Sequence, residues 1–146
     1  MPEEQSIVQQ KKILVVDDNL VIRKVVELKL KAGGYEVVTA KDGSAAVSSI
    51  HKEKPDLILL DILFPPDLTE GGMSWDGFAI MRWLRNMMSG ANDVPVIIIS
   101  GTDPAKYRDR CLAAGAAAYL HKPLDMDELV ATVHKVLEQK TSEAAA

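Results

Sequence analysis

Two kinds of apolar pattern alternate along this chain. Short, nearly unbroken apolar runs suit strands buried on both faces, and longer stretches with apolar residues every three or four positions suit amphipathic helices. Lys12-Ile13-Leu14-Val15-Val16 is a run of the first kind and stops at Asp17-Asp18-Asn19. Leu20 to Ala32 reads as a helix: Val21, Val25, Leu28 and Ala32 recur at helical spacing, and Ile22 and Val26 widen the apolar stripe, the kind that faces a core. Gly33-Gly34 ends it. Tyr35 to Ala40 is a second strand, Asp42-Gly43-Ser44 a turn and helix start, and Ala45 to His51 a short helix. Asp56 to Leu60 is a third strand, bounded by Pro55 before it and Pro65-Pro66 after it, with Asp61 at its end.

From Asp61 to Trp75 the periodicity fades and Gly71-Gly72 joins the prolines, which predicts a long loop. Asp76 to Met88 resumes as a helix carrying Phe78, Met81 and Leu84. Val94 to Ile99 is a fourth strand ending at Ser100-Gly101, and Asp103-Pro104 opens a helix through Ala114. Gly115 ends that helix, Ala117 to His121 is a fifth strand, and Lys122-Pro123 follows. Asp125 caps a last helix whose apolar face is Leu129, Val130, Val133, Val136 and Leu137. The expected organisation is a flexible lead-in over 1–10, one domain over 11–139 and a tail over 140–146. Strands alternating with helices imply an α/β fold, a five-stranded parallel sheet with helices on both faces. Right-handed crossovers then bring every strand C-terminus to one edge, where ligands bind in open α/β sheets.

Composition narrows the function classes. The chain has 146 residues, 47% hydrophobic and 26% charged, as in an ordinary globular domain. A net charge of −4 without a basic run argues against direct nucleic-acid binding. No apolar run approaches the roughly 20 residues of a membrane span, and the polar N-terminus is not a signal peptide, so a cytoplasmic location with no membrane contact is expected. A single cysteine, Cys111, allows no internal disulfide. His51, His121 and His134 match no metal-ligand spacing and read as surface residues.

The chemistry gathers at the strand ends: Asp17 and Asp18, Asp61, Ser100 and Lys122. Taken singly, a strand-end aspartate is most often a cap and a lysine a solvated surface group. Together they make a site. Close carboxylates repel one another, and a hard divalent cation with oxygen ligands relieves this. A carboxylate can also be a nucleophile in aspartyl-phosphate chemistry, with a metal and a lysine neutralising the phosphoryl oxygens.

In its motifs the chain resembles the receiver domains of two-component response regulators. The matching pieces are Lys12-Ile-Leu-Val-Val-Asp-Asp18, Pro55-Asp-Leu-Ile-Leu-Leu-Asp61, Ser100-Gly101 and Gly115-Ala-Ala-Ala-Tyr-Leu-His-Lys-Pro123. The likeness runs from about Lys11 to about Gln139. It implies a (βα)5 flavodoxin-like fold, strand order 2-1-3-4-5, resembling a single-domain chemotaxis regulator. It implies Asp61 as acceptor of a phosphoryl group from a histidine kinase or phosphotransfer protein. Mg²⁺, with Mn²⁺ as a possible substitute, would be held by Asp18 and Asp61 directly, by Asp17 through water and by the backbone carbonyl of Leu63. Ser100 and Tyr119 would be switch residues and Lys122 the phosphoryl partner, with a cis bond to Pro123. The output would be a protein target at the helix 4–strand 5–helix 5 face of a monomer or weak dimer. Such a domain catalyses only its own phosphorylation and dephosphorylation. It could equally be a module of a hybrid kinase or larger regulator.

Departures from the family are local. Asp67-Leu-Thr-Glu-Gly-Gly-Met-Ser74 is an insertion near the rim, expected to shade Asp61 or to contact the kinase together with Phe64, Met73 and Trp75. Apolar Leu63 stands where a polar residue is common, which predicts slow self-dephosphorylation. Residues 115–119 and Thr132 lack the charges of one known family dimer. Two other classes compete: an aspartyl-phosphate hydrolase of the haloacid-dehalogenase kind and a flavodoxin-like cofactor binder. Asp17-Asp18-Asn19 suits neither, since the first wants Asp-x-Asp on its first strand and the second a Ser/Thr/Gly-rich phosphate loop.

Overall fold

The computed structural model describes residues 10–61, 67–68, 74–75, 77–87, 94–101 and 104–145. Five βα units follow in chain order. They are β1 (Lys12–Val16), α1 (Leu20–Ala32), β2 (Glu36–Ala40), α2 (Gly43–Glu53), β3 (Leu57–Asp61), α3 (Gly77–Met87), β4 (Val96–Ser100), α4 (Pro104–Ala113), β5 (Ala118–His121) and α5 (Met126–Ala145). The strands form one sheet in the order β2-β1-β3-β4-β5, every neighbouring pair parallel. This is the doubly wound 2-1-3-4-5 arrangement expected from the sequence.

The unbroken apolar strands follow from burial on both faces. Ile13 and Val15 of β1 point into a layer with Val26 and Leu30 of α1 and Leu129 and Val133 of α5. Leu14 and Val16, one position out of phase, meet Ala46 and Ile50 of α2, Ile80 and Leu84 of α3 and Cys111 of α4. β3 and β4 are buried along their whole length. Helix starts are chemically marked. Asn19 Oδ1 accepts from the Ile22 amide, Asp42 Oδ1 from Ala45, and Asp125 Oδ1 from Asp127 and Glu128.

Two expectations need correcting, and the C-terminal tail has a structure the sequence did not specify. The apolar stripe of α1 faces outward: Val21 and Leu28 are each 69% exposed and Val25 42%, whereas Val26 and Leu30 are fully buried. The helix carries two apolar stripes, and only the one through Ile22, Val26 and Leu30 meets the sheet and α5. Periodicity identifies a stripe without saying which one packs. The tail beyond Gln139 is helical, since α5 continues to Ala145; Glu143, Ala144 and Ala145 are good helix formers. The loop after β3 is not wholly irregular, because Asp67–Leu68 and Ser74–Trp75 form a short antiparallel ladder. Its second strand lies against α2 and α3. Phe64, Met73 and the lead-in over 1–9 fall outside the described residues.

Candidate functional site

Sheet register builds the site. Val16 of β1 is level with Leu60 of β3, and Leu60 with Ile98 of β4. Asp17 and Asp61 therefore stand side by side one position further on, at the C-terminal edge of the two central strands. Asp17 is anchored by its amide, which donates to Ala40 O at 3.1 Å, and its Oδ1 accepts the Asn19 amide at 2.9 Å. Ser100 closes β4 opposite His121 of β5, so the next residue, Lys122, enters the same edge. The Lys122 amide donates to Ser100 O at 2.8 Å, and the Lys122–Pro123 bond is cis, as the family resemblance implies.

Lys122 joins the central carboxylates. Its Nζ lies 2.9 Å from Asp17 Oδ2 and 3.1 Å from Asp61 Oδ2, donating a hydrogen bond to the latter. Burial opposes the charge on this ammonium, but the carboxylates of Asp17 and Asp61 outweigh it and hold its pKa above the ordinary lysine value. Asp17 and Ser100 are fully buried and Asp61 is 5% exposed. Asp18 is exposed. Carboxylate oxygens of Asp17, Asp18 and Asp61 lie within 4.8 Å of one another.

This donor set fits a hard cation. It is all oxygen and gathers three carboxylates around Lys122, and among the described residues buried Asp17 Oδ2 has the ion contact with Lys122 as its one partner. A buried carboxylate oxygen with one ion contact, beside a partly exposed cluster, keeps lone pairs that a divalent ion with retained waters would satisfy.

The structure thus places Asp17, Asp18, Asp61, Ser100 and Lys122 at one edge of the sheet. Tyr119 is half-buried in the row of Ile98, packed against the layer containing Leu60 and Ile98. Leu63 lies outside the described residues, so its carbonyl has no described place. His51, His121 and His134 are exposed. One residue near the site was not legible in the sequence. Arg23, on α1, donates from Nη1 to the Asp17 carbonyl at 2.7 Å. It sits off both apolar stripes, and nothing in the local pattern signals a reach back across the turn.

The site is thus a buried strand-end aspartate, two further carboxylates and a lysine at one edge of a doubly wound parallel sheet. The chain belongs to the response regulator receiver domain family, whose model matches residues 13–134. It is 36% identical over 136 residues to the probable transcriptional regulator ycf27 of Guillardia theta, covering 93% of this chain and 48% of that protein. It is 33% identical over 135 residues to the response regulator MprA of Mycolicibacterium vanbaalenii, covering 92% and 54%. The chain therefore spans about half the length of these curated relatives. A CheY-like receiver domain protein from Methanospirillum hungatei superposes with a TM-score of 0.75 at 28% identity, covering 92% of this chain and 99% of that one. Among the described residues, no helix is long and apolar enough to cross a membrane.

Proposed function

We propose that this chain is a phosphorylation switch. Asp61 takes a phosphoryl group from the phosphohistidine of a histidine kinase or phosphotransfer protein, and the modified domain then binds a protein target. One observation carries the reading: Asp61 stands at a strand C-terminus, 3.1 Å from Lys122 and within 4.8 Å of the carboxylate oxygens of Asp17 and Asp18. The family membership and the regulators among the relatives favour this reading over a phosphate-ester hydrolase.

Mg²⁺, or Mn²⁺, would be held by Asp17, Asp18 and Asp61, and would neutralise phosphoryl oxygens when bound. A carboxylate oxygen of Asp61 attacks phosphorus in line. The new P–O bond forms as the P–N bond to the donor imidazole breaks, and that nitrogen leaves with the electron pair. Lys122, already charged and directed by Asp17, moves its contact from the Asp61 carboxylate to a phosphoryl oxygen. The Ser100 hydroxyl donates to another, and Tyr119 follows by changing its burial. The downstream target reads that change on the α4–β5–α5 face. The acidic net charge disfavours direct nucleic-acid contact by this chain.

The donor's docking surface is the outward stripe of α1. It begins at Leu20 and Val21, just past Asp18, so it adjoins the phosphoacceptor edge. Val21, Val25, Leu28 and Ala32 alternate steps of four and three, the spacing of a helix-to-helix seam. Lys24, Lys29 and Lys31 flank it. The lysines are paired with Glu27 and Asp127 of this chain, so the apolar seam carries the docking, and the occupant is a donor helix with a matching apolar seam.

The decisive experiment is labelling by a small-molecule phosphodonor. Wild type should label in Mg²⁺ and not in chelator, and Asp61→Asn should not label. Failure of the wild type to label sinks the reading. Val21→Asp should slow transfer from a kinase about tenfold or more while leaving small-donor labelling unchanged, a loss of about 1.4 kcal/mol at the interface.

A further inference from the structure

We propose that Arg23 is a positioning residue for the acidic turn. Its guanidinium fixes the peptide between Asp17 and Asp18 and thereby sets the affinity of the carboxylate cluster for a divalent cation. The inference rests on the phosphoacceptor reading and adds a residue that the reading does not use.

The geometry is a short strut. Arg23 stands in α1, where its amide donates to Asn19 O at 3.0 Å, inside the first turn of the helix. From there its side chain turns back and Nη1 donates to Asp17 O at 2.7 Å. β1 ends at Val16, so the Asp17 carbonyl lies past the last residue of the strand. A charged donor makes this bond shorter and stronger than one between neutral groups. The carbonyl of Asp17 belongs to the same rigid plane as the amide of Asp18. Holding that oxygen therefore fixes the orientation of the unit joining two of the three carboxylates. Among the described residues, the other contacts of the turn hold other atoms: the Asp17 amide on Ala40 O, Asp17 Oδ1 on the Asn19 amide, Asp17 Oδ2 on Lys122 Nζ, and the Asn19 side chain on Ile22. Among these, only the arginine holds the peptide plane between the acids.

Charge and position predict opposite results. A guanidinium beside a dication site repels the cation, so an electrostatic role alone means that removing it tightens binding. A positioning role means that removing it loosens binding, because the carboxylates no longer stand ready. Groups that orient metal ligands typically change affinity by roughly 10- to 100-fold when mutated.

The test is Mg²⁺ titration calorimetry on the unphosphorylated chain, with thermal melting in chelator alongside. Arg23→Gln should raise the Mg²⁺ dissociation constant about tenfold. Arg23→Lys, which keeps the charge without the fixed fork, should lie between Gln and wild type. Leu30→Val, remote from the cluster, is the control: it should lower the melting temperature and leave Mg²⁺ affinity alone. Unchanged or tighter binding by Arg23→Gln overturns the proposal. If Arg23→Gln does not fold, wild-type affinity in Arg23→Lys overturns it and weaker affinity supports it. Absence of Mg²⁺ binding by the wild type instead refutes the phosphoacceptor reading itself.

Discussion

Lys122 is where the residue-scale physics of the site concentrates. It bridges Asp17 and Asp61 at 2.9 and 3.1 Å, and its pKa is raised because those carboxylates outweigh its partial burial. Its folded pKa lies above the unfolded value of 10.5, so its stabilisation is complete below 10.5 and is lost as pH rises through the folded value. Wild type should therefore lose unfolding free energy above pH 10.5 more steeply than Lys122→Met, as followed by denaturant melts across the alkaline range. Burial also raises the pKa of Tyr35, a shift common to both proteins, so the difference between them isolates the lysine. The residues of this site were legible because each stands at or just past the end of a strand. Arg23 was not, because its reach to the Asp17 carbonyl depends on how α1 leaves the turn.

At the scale of elements, α1 shows how far a pattern can be read. Its apolar residues predicted a helix over Leu20–Ala32, which is what forms. They did not say which side packs, and the outward stripe is the one with the better heptad spacing. Leu30, fully buried, should cost about 2–5 kcal/mol when cut to alanine. Leu28→Ala, at a position 69% exposed, should stay within about 0.5 kcal/mol. Urea melts of the two variants check this directly, and a reversed order would mean that the stripe packs inward. The insertion after β3 belongs to the same scale. Its closing strand, Ser74–Trp75, rests against α2 and α3. Deleting 67–74 should change the rate of phosphoryl gain or loss at Asp61, measured by labelling and chase. Unchanged rates would reduce the insertion to a surface elaboration.

For the whole molecule, any cation held by the cluster would be linked to folding, because the carboxylates meet only when β1 and β3 are paired. Free Mg²⁺ at a hundred times its dissociation constant should stabilise the wild type by about 2.7 kcal/mol. That is a rise of several degrees in melting temperature, and Asp61→Asn should show a smaller one. Equal shifts in both proteins would place the cation elsewhere.

What the chain determined by itself is the set of elements and the chemistry at their ends. Unbroken apolar runs, glycine stops and capping residues are local signals, and local signals survive without a fold. Tertiary structure decided which stripe of α1 is covered, because that depends on the angle at which the helix meets the sheet and α5. It also decided that Asp17, Asp61 and Lys122 share one contact. Residues so distant in the chain acquire a distance only when parallel pairing aligns their strands.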